Sequence, residues 1–234
     1  MIVATFNVRG RLKKNKIKEL LRNHKVDFLA IQETKMEDIN ASLCANLWGN
    51  DDFDWAYLPS EGNNGGILSI WKKSLAKLFY TFTGEGLVGV YLEWGVLKRK
   101  CIVINVYSKC DLAAKKRLWE KLVLARNNLG SGAWCILGDF HSVGDGAERR
   151  GVHLDASSTN NLEITLFNAF KREVDSEEWN RWWGDSALWV LPRDVSDHCP
   201  LVLKVGGWDW GPRPFRFNNF WLENPKFKPL VEEV

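Results

Sequence analysis

The chain has 234 residues, 45% of them hydrophobic and 26% charged, a composition typical of a folded domain with a sizeable core. Its net charge of +3 gives no general argument for nucleic-acid binding, and it has no apolar run of transmembrane length, so no membrane is expected as a partner. Five cysteines without a Cys-x-x-Cys spacing, and no secretory leader, favour a nuclear or cytoplasmic location over secretion.

The first elements form a predicted strand–helix–strand unit. Residues 2–6 and 26–31 have the apolar pattern of buried strands, and residues 13–24 have the one-turn apolar spacing of a helix between them. Such a unit usually joins parallel strands whose open ends carry the functional site. Asn7 and Glu33 follow the two strands, so both side chains are expected at one edge of the sheet.

The rest of the chain is predicted to continue with short strands and two further helices. The strand patterns are separated by turns, and each helix carries apolar residues on one face. Residues 206–234 are rich in Gly, Pro and Trp and are interpreted as a tail or linker that follows one domain at 1–205. The predicted strands cover 53–58, 67–71, 78–83, 88–94, 100–106, 134–137 and 200–205, and the predicted helices follow Asp111 and cover 160–171.

The candidate site is built around Asp197 and His198, which lie just before the last predicted strand. A rigid strand end can hold a histidine in the geometry that proton transfer requires, and an adjacent carboxylate can orient it or bind a metal. Alone, the pair is a weak motif and also fits a polar loop. The site gains support from other polar side chains at predicted strand ends, which are Asn7, Glu33, Tyr107, Asp139 and His141.

These residue types suit metal-assisted hydrolysis of a phosphoester. Two or three carboxylates with little competing positive charge form an oxygen-rich site for Mg²⁺. A histidine can act as a base or stabilise phosphate charge, and Tyr and Asn side chains can donate hydrogen bonds to an anion. Taken singly, each residue has a structural alternative: Asn7 as a turn former, Tyr107 at the edge of the core and Glu33 as a helix cap.

Five short motifs follow one another along the chain. They are Thr5-Phe6-Asn7-Val8-Arg9-Gly10, Ile31-Gln32-Glu33-Thr34, Asn105-Val106-Tyr107, Leu137-Gly138-Asp139-Phe140 and Ser196-Asp197-His198-Cys199-Pro200-Leu201. Their order is that found in the endonuclease/exonuclease/phosphatase superfamily, which the chain resembles over nearly its whole length. Residues 148–151 and 214–222 resemble one subgroup in particular, the exonuclease III or AP endonuclease-like domain of plant LINE-type non-LTR retrotransposons.

The resemblance implies an α/β (α+β) fold, a four-layer sandwich of two packed mixed β-sheets flanked by helices. It also implies a site for Mg²⁺, with Mn²⁺ as the alternative ion. In that site Glu33 would be the principal metal ligand, with Asn7 and Asp197 beside it. Oxygen ligands of this kind are those that Mg²⁺ prefers in proteins.

The same resemblance implies roles for the remaining site residues. Asp139 would position or deprotonate the attacking water, and Tyr107 would support the phosphate and the leaving group. His198 would contact the scissile phosphate or act as a base. The residues expected to bind the phosphate or the rest of the substrate are Arg9, His141 and Ser196.

Two departures from the family pattern bear on activity. The family has Asn where this chain has His141, whose imidazole has a different reach and a charge that depends on pH. Near residues 173–176 the chain is expected to lack about thirty residues, or about two strands at the usual strand and turn lengths. The missing stretch includes the Asp that orients the catalytic His in relatives, and Asp175 is a weak candidate to replace it.

The resulting hypothesis is a Mg²⁺-dependent DNA endonuclease domain of retroelement origin, which nicks DNA, leaves a 3′-hydroxyl and is impaired in this copy. DNA is the expected partner, the chain is expected to be a monomer, and no reverse transcriptase sequence is present in it. One alternative is a catalytically dead remnant that at most binds nucleic acid through basic residues near its N-terminus. Another is a phosphatase or other phosphodiesterase of the same superfamily that acts on a small substrate.

Overall fold

The computed structural model describes residues 1–10, 12–62, 64–129, 132–140, 186–193 and 196–205. Within these ranges, ten strands form two mixed β-sheets, accompanied by three α-helices. None of the helices described is long and apolar enough to cross a membrane. The predicted helix over 160–171, the inferred deletion near 173–176 and the predicted tail over 206–234 lie outside the described residues.

The larger sheet contains the two strands predicted to be parallel neighbours. β1 (Ile2–Asn7) and β2 (Phe28–Gln32) pair in parallel, because helix α1 (Lys14–His24) carries the chain back between them. The other pairings in this sheet are antiparallel. The central pair lies between β3 (Asp54–Glu61) and β4 (Asn64–Trp71) on one side and β9 (Ser186–Val190) and β10 (Leu201–Val205) on the other.

The smaller sheet is antiparallel except for one pair of strands. Strands β7 (Arg99–Tyr107) and β8 (Ala133–Asp139) pair in parallel through helix α3 (Leu112–Leu129), which places Tyr107 opposite Asp139. Each sheet therefore has one parallel pair whose carboxyl ends lead into two of the predicted site residues. The four described strands of this sheet lie in chain order: β5 (Ala76–Gly84), β6 (Leu87–Trp94), β7 (Arg99–Tyr107) and β8 (Ala133–Asp139).

The two sheets pack face to face, and helices cover both outer surfaces. Buried side chains from both sheets form the central core, including Phe28 and Trp71 from one and Val90 and Val103 from the other. Helices α1 and α2 (Ala41–Trp48) cover the outer face of the larger sheet, and α3 covers that of the smaller sheet. This arrangement is the four-layer sandwich predicted from the motifs, and it confirms the predicted fold class.

An α-helix and a strand among the described elements have no counterpart among the predicted ones, and neither does the short 3-10 helix Lys73–Leu75. Helix α2 begins after Asn40, whose side-chain oxygen accepts a hydrogen bond from the N–H of Leu43 at 3.0 Å, and ends at Gly49 with a φ of +93°. At eight residues it is too short to give a strong helical period. Strand β9 is one of the two outermost described strands of its sheet, with Leu188 and Val190 exposed, so it lacks the alternation of a half-buried strand.

Three of the five cysteine thiols are expected to resist modification in the folded protein. Cys44, Cys101 and Cys135 are buried, whereas Cys110 is exposed and Cys199 is half-buried. Burial raises the pKa of Cys44 and of Cys135 to about 12, so these thiols stay protonated near neutral pH. Titration with a chromogenic disulfide reagent should modify two thiols quickly and all five only after denaturation. Rapid modification of the buried three would contradict the described core.

Candidate active site

The candidate site lies where the parallel strands of both sheets end. β1 ends at Asn7 and β2 leads into Glu33, while β7 and β8 end at Tyr107 and Asp139. A fifth side chain, His198, belongs to the loop before β10, which pairs with β1. Five residues predicted from the sequence therefore meet at one end of the sandwich.

Glu33 enters the site because the chain turns sharply after β2. Its φ of +54° lies in the left-handed region, which is uncommon for residues other than glycine. Its backbone oxygen accepts a hydrogen bond from the N–H of Gly10 at 3.0 Å, which fastens the turn to the loop after β1. The residue is 9% exposed, and its side chain contacts Asn7 and Tyr107. Uncommon backbone conformations held by their surroundings recur at functional sites.

The amide of Asn7 holds the two carboxylates together. Its nitrogen donates to Glu33 Oε1 at 2.9 Å and to Asp139 Oδ2 at 2.7 Å. Its oxygen accepts a hydrogen bond from the backbone N–H of Arg9 at 2.9 Å. The two amide hydrogens reduce the repulsion between these like-charged groups, so the amide fixes their separation. These contacts are those of a positioning residue, and the role of Asn7 as a metal ligand stays a prediction.

His198 completes a cluster of three potential metal-ligating side chains. Its Nε2 lies 3.7 Å from Asp139 Oδ2 and 3.8 Å from Asp197 Oδ1. One ligand atom from each of Glu33, Asp139 and His198 lies within 4.8 Å of the other two. Two carboxylates with one imidazole suit Mg²⁺ or Mn²⁺ better than a metal that prefers thiolates.

Ser196 and Arg9 lie at the rim of the site and have partners within the chain. Ser196 Oγ donates to the backbone oxygen at the end of β1 at 2.8 Å and accepts from the N–H of His198 at 3.2 Å. It therefore fixes the loop that carries the histidine. The exposed guanidinium of Arg9 pairs with the carboxylate of Asp197. The substrate-binding roles of Arg9 and Ser196 stay predictions, as does the metal role of Asp197, and His141 lies outside the described residues.

Tyr107 is a neutral hydrogen-bonding group at the site. Burial raises the pKa of its hydroxyl, and the charge of Glu33 and a hydrogen bond to that residue raise the pKa further. The carboxylate of Asp139 acts in the same direction. Losing the proton would add a negative charge beside these two groups, so the phenol keeps its proton at neutral pH.

Beneath the site, a buried polar network joins the two sheets. Gln32 and Asn105 were not among the sequence candidates, although both are fully buried. Gln32 Nε2 donates to Asn105 Oδ1 at 2.6 Å and to Thr5 Oγ1 at 3.0 Å. Asn105 Nδ2 donates to the backbone oxygen of Leu68 at 3.1 Å and to Ser69 Oγ at 3.2 Å. The sequence feature that could have identified each of them is a polar residue within or directly after a predicted apolar strand.

Comparison with known proteins places these residues in a family. The model of the endonuclease/exonuclease/phosphatase family matches residues 4–223 of the chain. The comparison with curated proteins gives no match.

Solved structures match the fold at low sequence identity. AP endonuclease LMAP from Leishmania major is 17% identical with a TM-score of 0.64, and the match covers 86% of both chains. An AP endonuclease from Archaeoglobus fulgidus is 16% identical with a TM-score of 0.60, over 88% of this chain and 99% of that one. The human Nocturnin catalytic domain is 14% identical with a TM-score of 0.57, over 88% of this chain and 94% of that one.

Proposed function

Because the chain belongs to the endonuclease/exonuclease/phosphatase family, we propose that it is a metal-dependent phosphodiesterase that hydrolyses DNA. The observation that carries the proposal is the cluster of Glu33, Asp139 and His198, whose ligand atoms lie within 4.8 Å of one another at the strand ends. The similarity of the fold to two AP endonucleases favours nucleic acid as the substrate.

The donor set fits a hard divalent cation. Glu33 and Asp139 would hold Mg²⁺ or Mn²⁺ through carboxylate oxygens, with His198 beside them and Asp197 at the rim. When bound, the ion would offset the negative charge of the phosphate and favour attack at phosphorus. Asn7 would keep the two carboxylates at a fixed separation through its pair of hydrogen bonds.

Asp139 is the proposed base that positions the attacking water. Its carboxylate is fixed by the amide of Asn7 and lies 3.7 Å from His198 Nε2. As the water oxygen bonds to phosphorus, the carboxylate or the imidazole would take its proton. The bond from phosphorus to the 3′-oxygen would break, and that oxygen would leave as a hydroxyl by taking a proton from the protonated base or from solvent water. Tyr107, which keeps its own proton, would turn its O–H from Glu33 and donate a hydrogen bond to the phosphate or to the leaving oxygen.

The nicking reaction and the retroelement origin are the finer parts of the proposal. They are supported by the resemblance of residues 148–151 and 214–222 to domains of plant LINE-type elements. A 3′-hydroxyl left at the nick is the end that a reverse transcriptase extends. His141 in place of Asn, and the inferred deletion near 173–176, make this copy a slow enzyme under the proposal.

Nicking of supercoiled plasmid tests the proposed function. With Mg²⁺, the purified chain is expected to convert supercoiled DNA to open circles, and EDTA is expected to prevent the conversion. A DNA polymerase should extend the nicks directly, because each nick ends in a 3′-hydroxyl. The cooperative unfolding of the same preparation, followed by circular dichroism, shows that the assayed chain is folded.

The two alternatives give different results in the same assays. Salt-sensitive DNA binding without nicking would favour an inactive remnant, because phosphate contacts weaken as salt increases. Release of p-nitrophenol from p-nitrophenyl phosphate, again without nicking, would favour a phosphatase of small substrates. Either result from a folded chain would contradict the proposed endonuclease.

The Tyr107→Phe variant is expected to nick DNA on the order of a hundredfold more slowly, because it lacks one hydrogen-bond donor to the developing charge. Since its raised pKa keeps the Tyr107 hydroxyl protonated, ionisation of this group should cause no loss of rate between about pH 8 and pH 10. The measurement is the pH–rate profile of wild type, of Tyr107→Phe and of the control Tyr80→Phe, which alters an exposed phenol. An alkaline loss of rate that disappears only in Tyr107→Phe would contradict this assignment.

A further inference from the structure

A cavity of about 620 Å³ opens beside the candidate site. It lies between the β3–β4 hairpin, the β5–β6 turn and the loop that joins β7 to α3. Its walls combine apolar groups with hydroxyl groups, as in Leu58, Ile67, Ser60 and Ser108. The volume is in the range of pockets that bind small organic molecules, and mixed walls of this kind suit a flat ring with polar edges.

The cavity shares its wall with the candidate site. The ring of Tyr107 lines the cavity, while the hydroxyl of the same side chain is hydrogen-bonded to Glu33. The N–H of Ser108, another lining residue, donates to the backbone oxygen of Asp139 at 2.8 Å. The glycine pair that lines the cavity lies beside the same tyrosine, since a Cβ atom at Gly65 would be 3.8 Å from the Tyr107 ring. A group bound to a phosphate at the candidate site would therefore extend into this cavity.

Two glycines keep the wall of the cavity thin. Gly66 has a φ of +84°, and a Cβ atom there would lie 2.3 Å from Thr34 Oγ1. Gly86 has a φ of +76°, and a Cβ atom there would lie 2.6 Å from the backbone oxygen of Tyr107. Because larger residues would clash at both positions, the main chain itself forms the wall beside Glu33 and Tyr107.

Charged side chains of both signs lie at the rim of the cavity. Lys109 Nζ lies 3.7 Å from Glu85 and 3.9 Å from Glu61, and all three residues line the cavity. Arg117 and Lys121 also pair with Glu85, at 3.2 and 3.7 Å. The carboxylates of Asp111 and Glu120 act on Arg117 as well. Lys109 is therefore the lining cation placed to contact a ligand that carries phosphate.

We propose that this cavity binds the nucleoside next to the scissile phosphate, so that the chain prefers nucleotide diesters to simple phosphodiesters. The inference rests on the proposed phosphodiesterase function, and it adds the place where one nucleoside of the substrate binds. The ring of Tyr107 and the aliphatic wall contact the base and the sugar. The hydroxyls of Ser60 and Ser108 donate to the backbone oxygens of Gly62 and Lys109 at 2.9 and 3.0 Å, so each oxygen can only accept a hydrogen bond from the nucleoside. Lys109 at the rim attracts the next phosphate of the chain.

Two p-nitrophenyl substrates with the same leaving group test the inference. Wild type is expected to hydrolyse thymidine 5′-(p-nitrophenyl phosphate) with a kcat/KM at least about tenfold above that for methyl p-nitrophenyl phosphate. Cys110→Trp fills the cavity from an exposed position and should remove most of this preference. Leu97→Trp adds the same ring at the exposed turn between β6 and β7, and this variant should keep the preference for the nucleotide substrate. Equal kcat/KM values for both substrates in wild type would overturn the inference.

Protection of Cys110 from alkylation separates this inference from the proposed function, because it requires no turnover. Thymidine 5′-monophosphate should slow the reaction of Cys110 with N-ethylmaleimide about tenfold at saturation, whereas deoxyribose 5-phosphate should slow it little. Mass spectrometry of the digested protein measures the alkylation of Cys110 separately from that of Cys199. Protection without hydrolysis of either substrate would support the cavity and refute the phosphodiesterase. Hydrolysis with no protection, or with equal protection by both compounds, would refute the nucleoside site alone.

Discussion

Replacing Glu33 with Gln is expected to reduce Mg²⁺-dependent hydrolysis by a factor on the order of 10³ or more. Glutamine keeps the length of the side chain and can still accept the hydrogen bond from Asn7. It removes one of the two carboxylates of the cluster, so the site would hold a divalent cation more weakly. The measurement is the initial rate of nicking over a range of Mg²⁺ concentrations, which separates weaker metal binding from a slower reaction.

Glu120→Gln is the matched control for this change. Glu120 lies on α3, where its half-exposed carboxylate pairs only weakly with Lys116, at 3.9 Å. Removing that charge should leave the rate within about twofold of wild type, since exposed ion pairs contribute little. Both variants should unfold at nearly the wild-type temperature. Wild-type activity in Glu33→Gln would mean that hydrolysis takes place at a different site.

Asn105→Ala is expected to destabilise the chain by about 3 kcal/mol, because it leaves several buried polar groups without their partner. The side chain is fully buried, accepts from Gln32 at 2.6 Å and donates to Ser69 at 3.2 Å and to the oxygen of Leu68 at 3.1 Å. For a chain of this length, a loss of that size lowers the melting temperature by roughly 6–12 °C. Urea unfolding followed by circular dichroism measures the change in free energy.

Asn64→Ala is a matched control for the stability measurement. Asn64 is exposed at the start of β4, so its removal should change the free energy of unfolding by less than about 0.5 kcal/mol. A similar stability in Asn105→Ala and Asn64→Ala would show that the network beneath the site contributes little. A large loss restricted to Asn105→Ala would support the network as the link between the two sheets.

The strands at the centre of both sheets were predictable from the sequence because their apolar runs are continuous. The parallel pairing of β1 with β2 followed from the helical pattern between them, and it correctly placed Asn7 and Glu33 at one edge. The identity of the whole fold depended on the ordered motifs and not on periodicity. Short or exposed elements such as α2 and β9 were missed because eight or fewer residues give little pattern.

The contacts within the site could not be predicted from the residue types. Asn7 can bind a metal through oxygen or carboxylates through nitrogen, and the neighbouring N–H of Arg9 decides which end faces inward. In the sequence, Asn105 is one polar residue in an apolar strand. Its partners Gln32 and Ser69 belong to the opposing sheet and become visible only in the structure. The carboxylates that the Asn7 amide contacts and the partners of Asn105 are far away in the sequence, and local patterns do not encode them.

The most direct test of the central claim is a titration with Mn²⁺ followed by electron paramagnetic resonance. If Glu33, Asp139 and His198 form a metal site, the folded wild-type chain should bind one Mn²⁺ ion that Mg²⁺ displaces, and Glu33→Gln should bind it at least about tenfold more weakly. The control Glu120→Gln should bind Mn²⁺ as wild type does. Binding that is absent from wild type, or unchanged in Glu33→Gln, would contradict the account.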